Sequence, residues 1–177
     1  MDFELKPLSG AQAARWAVDA VLVLVPDSLV AADGDDALTE LVREALRRGD
    51  LESGAGKCLS CYRPAGFKAS RVVLVRAGDG SATAVRKAMT AGLSQLKVPG
   101  VKKLGVLLSL LERDATVVRT AMTAAADATY SYVTTKPSAH ARSLQQIVLG
   151  VKDLAASRQE FQMGQALVSG VELAKEW

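Results

Sequence analysis

Apolar residues along this chain follow two rhythms. Short unbroken runs alternate with longer stretches in which apolar positions recur every three or four residues. Ala20–Val25 contains no polar position and stops at Pro26. Such a run predicts a strand buried on both faces, as in a parallel sheet covered by helices. Residues 71–75, 103–110 and 146–151 read the same way, and 57–62 forms a weaker strand. Phe3 and Leu5, with Leu8 beyond them, predict a short first strand with alternating faces.

Helical spacing fills the intervals. Leu38, Leu41, Val42, Ala45 and Leu46 mark one amphipathic helix. Asp35 and Asp36 at its start and Arg47 and Arg48 at its end suit the helix dipole, and Gly49 is a ready stop. Val85, Ala88, Met89, Leu93 and Leu96 mark a second helix, ended by Pro99 and Gly100. Asp114 is expected to cap a third, with Val117, Val118, Ala121, Met122 and Ala125 on its inner face. Residues 130–135 read as a short strand or extended loop, and 137–143 as a polar connection. Asp153 opens a long last helix whose inner face is expected to be Phe161, Gly164, Leu167, Val168 and Val171. Strands separated by helices predict an α/β domain with a mainly parallel sheet and helices on both faces.

Composition narrows the chemistry. The 177 residues fit one domain, and 49% apolar with 23% charged residues can fill a core. A net charge of +3 is too small to demand a nucleic-acid partner. The chain has one His, two Cys and no Asn. That excludes a multi-histidine metal site, a disulfide framework and an N-glycosylation acceptor. Met1–Lys6 is charged and alternating with no apolar signal region behind it, and the apolar runs fall far short of the ~18 residues that suggest a membrane span. The expected location is the cytoplasm, with no membrane partner.

Each motif has an ordinary reading. Gly78-Asp-Gly-Ser81 follows a strand and opens a helix, where backbone amides can hold phosphate. The dinucleotide fingerprint needs a third glycine where Thr83 stands, so a tight turn with Ser81 as helix cap is expected. Gly54-Ala-Gly-Lys57 is followed by Cys58 rather than Ser or Thr and is not a P-loop. Cys58 and Cys61 have redox-motif spacing, but on a strand they point to opposite faces, and no second cysteine pair completes a zinc site. Asp33-Gly-Asp-Asp36 lacks the alternating ligands of a calcium loop and reads as an acidic helix start. His140, between Ser138 and Ser143, has no nucleophile elbow beside it. Lys97, Lys102 and Lys103, with Arg86 and Lys87, read as a solvated basic face.

Read in order, the pieces form a pattern. DAVLVLVP, then GDLESGAGKCLSCYRPAGFKASRVVLVRAGDG, then VRKAMTAGLSQL, resembles the N-terminal domain of the leucyl (cytosol) aminopeptidases. ADATYSYVTTKPSAHARSLQQIVLGV continues the likeness with Tyr130, Tyr132 and Lys136, and GVELAKEW resembles the helix that leads into that family's catalytic domain. Arg76-Ala77 departs from the small or apolar residues more usual there, which argues against a ligand pocket at that place.

The resemblance implies a three-layer α/β/α sandwich around a mixed, mainly parallel sheet, similar to macro domains. It implies that residues 1–177 are a single non-catalytic domain, with 153–177 a helix leading toward an absent catalytic domain. The family's enzymes are two-metal exopeptidases, using zinc or manganese ions about 3.5–4 Å apart to activate water. Their N-T-D-A-E-G-R signature cannot occur in a chain without Asn. No catalytic, cofactor-binding or metal residue of the family maps onto this sequence, so none is expected here. The implied partners are the catalytic domain of the same polypeptide and a homo-hexamer. Two alternatives stand beside this reading: a DNA-binding regulatory module, and an ADP-ribose-binding macro-type module. The last turns, from Val171 to Trp177, have no capping residue and are expected to be weakly held.

Overall fold

The computed structural model describes residues 1–30, 33–131 and 142–176. Tyr132, Lys136, His140 and Trp177 lie outside the described residues. The elements in chain order are β1 (Asp2–Pro7), α1 (Gly10–Ala13), β2 (Ala20–Val25), α2 (Ala37–Arg48), β3 (Cys58–Tyr62), β4 (Arg71–Arg76), α3 (Ala82–Ser94), β5 (Lys103–Leu107), α4 (Asp114–Thr129), β6 (Gln146–Val151) and α5 (Leu154–Glu176). Six strands form one sheet in the order β1-β6-β5-β2-β4-β3. All neighbours are parallel except β3, which runs antiparallel to β4.

The unbroken apolar runs become the centre of the sheet. Val23 lies between Leu74 of β4 and Leu107 of β5, and all six residues of β2 are fully buried. Alternation divides them between two cores. Leu22, Leu24, Val73, Val75, Leu104 and Ile147 pack under α3, α4 and α5. Val21, Val23, Val25, Val72, Leu74 and Val148 pack under α1 and α2 with Trp16. This is the three-layer arrangement that strands buried on both faces require. Gly105 marks a close approach: a Cβ there would come within 2.7 Å of the Trp16 ring.

Helix ends largely follow their local chemistry. Asp36 caps α2, accepting the amides of Leu38 and Thr39 and the Thr39 hydroxyl. Burial works against its ionised form, but these hydrogen bonds outweigh it and hold the carboxyl below its usual range. Gly49 ends α2 in the left-handed conformation at φ 77°, as a glycine stop should. Asp153 accepts the amides of Ala155 and Ala156 at the start of α5.

Three expectations need correction, and one element is new. The strand expected over 103–110 stops at Leu107, because Leu108–Leu111 closes a turn that keeps apolar side chains buried. Asp114 is not the cap of α4 but its first residue: its buried carboxylate accepts the amides of Ala115 and Lys152, tying α4 to the end of β6. On α5, Leu167 and Val171 face solvent, while Ser157, Gly164 and Val168 form the buried stripe. Helix α1 is an addition, with Ser9 donating its amide to Gln12 Oε1.

Candidate functional site

Open parallel sheets bind ligands beyond the carboxyl ends of their strands, where the strand order reverses. Here β4 lies on one side of β2 and β5 on the other. At the ends of β2 and β4 the space is filled by the protein itself. Arg76 ends β4 with its side chain only 6% exposed. Its Nη1 donates to the carbonyls of Pro26 at 2.9 Å and Leu29 at 3.4 Å. Its Nε lies 3.6 Å from Asp27 Oδ1, and Asp27 Oδ2 accepts the Gly54 amide at 3.0 Å. This ion pair ties together the segments after β2, before β3 and at the end of β4.

The Gly78–Ser81 turn likewise closes on itself. Ser81 Oγ accepts the Ala84 amide at 3.3 Å and caps α3, while Asp79 accepts the Ser81 amide at 3.0 Å. The hydrogen bonds from Ser81 hold the Asp79 carboxyl below its usual range. A carboxylate therefore stands beside the amides that an anionic ligand would need, and like charges repel there.

The cysteines occupy opposite layers. Cys58 pairs with Val75 and packs against one core, and Cys61 pairs with Val72 and packs against the other. Burial pushes both thiols up. Since the thiolate is the reactive form, alkylation by iodoacetamide near neutral pH is expected to be several-fold slower in the folded chain than in urea. Equal rates, read by intact-protein mass spectrometry, would show that the half-buried setting does not restrain them.

Two of the five basic residues, Arg86 and Lys87, are engaged within the domain. Arg86 turns to Thr123 and Asp127 of α4, and the Lys87 stem lies over Gly56. Among the described residues, no group of three or more His, Cys, Asp or Glu is arranged to hold a metal ion.

Side chains do converge at the exit of α5. Arg142 Nε donates to the Thr129 carbonyl at 2.9 Å, and its Nη2 reaches the Ala126 carbonyl at 3.4 Å. Those are terminal carbonyls of α4, which need partners at a helix end. The same Nη2 donates to Glu172 of α5 at 2.7 Å. One turn on, Lys175 donates to Asp127 at 2.8 Å and lies 4.9 Å from the centre of the Tyr130 ring. The Tyr130 hydroxyl donates to the Lys175 carbonyl at 3.3 Å. The last turns of α5 are thus anchored as far as Lys175 by side chains of α4 and Arg142, not left loose as the missing cap suggests. These partners come from other elements, so no pattern within the helix could announce them.

Comparison with known proteins fixes what this arrangement belongs to. The model of the cytosol aminopeptidase family, N-terminal domain, matches residues 20–139. The chain belongs to the cytosol aminopeptidase family. A probable cytosol aminopeptidase of Verminephrobacter eiseniae is 46% identical over 177 residues, covering all of this chain and 34% of the relative. One of Acidovorax ebreus is 43% identical over 178 residues, covering all of this chain and 35% of the relative. The chain thus spans about a third of the length of the aminopeptidases that it matches. Among solved structures, a tomato leucine aminopeptidase mutant superposes at TM-score 0.71 with 16% identity, covering 99% of this chain and 38% of that one. A bottromycin maturation enzyme superposes at 0.64 with 20% identity, covering 90% and 32%. At those identities the likeness is one of fold. It agrees with the α/β sheet described above.

Proposed function

We propose that residues 1–177 act as the non-catalytic N-terminal domain of a two-metal aminopeptidase that removes N-terminal residues, leucine among them, from peptides in the cytoplasm. Its task is to carry and support the catalytic domain of the same polypeptide within a homo-hexamer. One observation carries the reading: the whole chain aligns at 46% identity with only 34% of the Verminephrobacter eiseniae relative. The two metals, manganese or zinc, would belong to the part of the polypeptide beyond this domain. There they would activate water and polarise the scissile carbonyl.

Hydrolysis of a leucine anilide with added manganese or zinc tests this. The isolated chain is expected to give no turnover above buffer. The chain fused to the remainder of the Verminephrobacter eiseniae relative is expected to turn over and to have the mass of six subunits in solution. Turnover by the isolated chain would overturn the non-catalytic role, and an inactive but folded fusion would overturn the aminopeptidase reading.

A further inference from the structure

Helix α5 is apolar on two sides, and among the described residues only one of them is fully buried. Its inner stripe meets α4: Val168 is 5% exposed, and a Cβ on Gly164 would come within 2.6 Å of Met122 Sδ. The outer side carries Met163, Leu167, Val171 and Leu173, exposed by 44%, 48%, 38% and 61%, with Leu167 and Val171 at the edge that borders Arg86 of α3 and Thr123 and Asp127 of α4. These are four of the six exposed large hydrophobic residues among those described. At 100° per residue they fall, with the small residues Ala166 and Gly170, in an arc of about 160°. Between residues 155 and 174 the only charged group in that arc is Glu160, and Arg119 of α4 holds it at 3.1 Å. An ordinary surface helix carries charge on its outer face.

Gly170 points the same way. Glycine is the poorest helix former after proline, so a helix interior keeps it at a cost in stability. Gly164 has its reason in Met122, but among the described residues nothing lies within 4 Å of where a Gly170 Cβ would be. No packing among the described residues calls for it. A glycine facing outward among apolar side chains suits the close approach of another backbone.

The occupant follows from the chain's relatives. They carry about two-thirds of their length outside the matched part, and this domain is the N-terminal one. Helix α5 is the last matched element, so in such a polypeptide it leads into the catalytic domain. A domain tethered there has an effective concentration at this face of order millimolar, ahead of any free molecule. We infer that the outer face of α5, centred on Leu167 and Gly170, is the seam on which the catalytic domain of the same polypeptide packs, with Gly170 admitting its backbone. This rests on reading the chain as one domain of a longer aminopeptidase.

Methionine oxidation by dilute peroxide, read by peptide mass spectrometry, tests the seam, because oxidation of the thioether follows its exposure. Met163 is expected to oxidise readily in the isolated chain and about tenfold more slowly in the fusion with the remainder of the Verminephrobacter eiseniae relative. Met89 and Met122, fully buried, are expected to be slow in both. Leu167→Glu is expected to leave the melting temperature of the isolated chain unchanged and to restore fast Met163 oxidation in the fusion. Equal Met163 rates in the isolated chain and in a fusion that hydrolyses leucine anilide would overturn the seam while leaving the proposed function standing. Protection in a folded but inactive fusion would support the seam and defeat that function. Protection already present in the isolated chain, together with a doubled mass in solution, would assign the face to a second copy and overturn the inference.

Discussion

Val23→Asp is expected to abolish stable folding. Val23 is fully buried at the centre of β2, between Leu74 and Leu107, and packs in the core under α1 and α2. The substitution removes apolar contacts and puts a carboxyl group where no partner is at hand. An unpaired polar group in such a place costs several kcal/mol, and an ionised one more, against a total stability of about 5–15 kcal/mol. Urea titration followed by circular dichroism should show no folded baseline, or a midpoint near zero urea. Val73→Asp, which points into the opposite core, should behave alike. A midpoint that hardly moved would mean that one face of the sheet is open to water.

Asp27→Ala is expected to destabilise the domain by about 2–3 kcal/mol, although Asp27 itself is a third exposed. The penalty falls on Arg76, whose buried guanidinium loses its counter-charge and keeps only carbonyl acceptors. The Gly54 amide loses its acceptor at the same time. Asp27→Asn keeps an oxygen for Gly54 and should cost less. The double variant Asp27→Ala with Arg76→Met, which removes both charges, should recover part of the loss, and urea midpoints of the three variants decide it. Asp27→Ala as stable as the unaltered chain would mean that water already screens the pair.

The two examples differ in how far the sequence foretells them. β2 is legible because an unbroken apolar run admits few other environments. The caps at Asp36, Gly49 and Ser81 are legible because each bonds within a few residues of itself. The Arg76–Asp27 pair is not, because its partners lie far apart along the chain and only the parallel pairing of β2 and β4 brings them together. Helix α1 escapes notice because four residues are too few to show a period, although Ser9 and Gln12 have capping-box spacing. The outward turn of Leu167 and Val171 has another cause. Apolar residues flank α5 on both sides, and periodicity alone does not say which side meets α4. The deciding feature is Gly164, which lets Met122 come close. The aminopeptidase resemblance is legible because it runs across the whole chain, whereas the anchors at the end of α5 depend on Arg142, Asp127 and Tyr130 meeting in space.

Because neighbouring residues of β2 and β4 serve opposite cores, the two helix layers share one backbone and cannot be loosened separately. An event on one layer is therefore felt by the other through the folding equilibrium. Anything that binds only the folded form deepens the protection of every group released by global opening. The amides of β2, fully buried between β4 and β5, thus become a remote gauge of whatever covers α5. Their hydrogen exchange, released by global opening, should slow by the same factor as the population of open chains falls, although no atom near β2 has changed its neighbours.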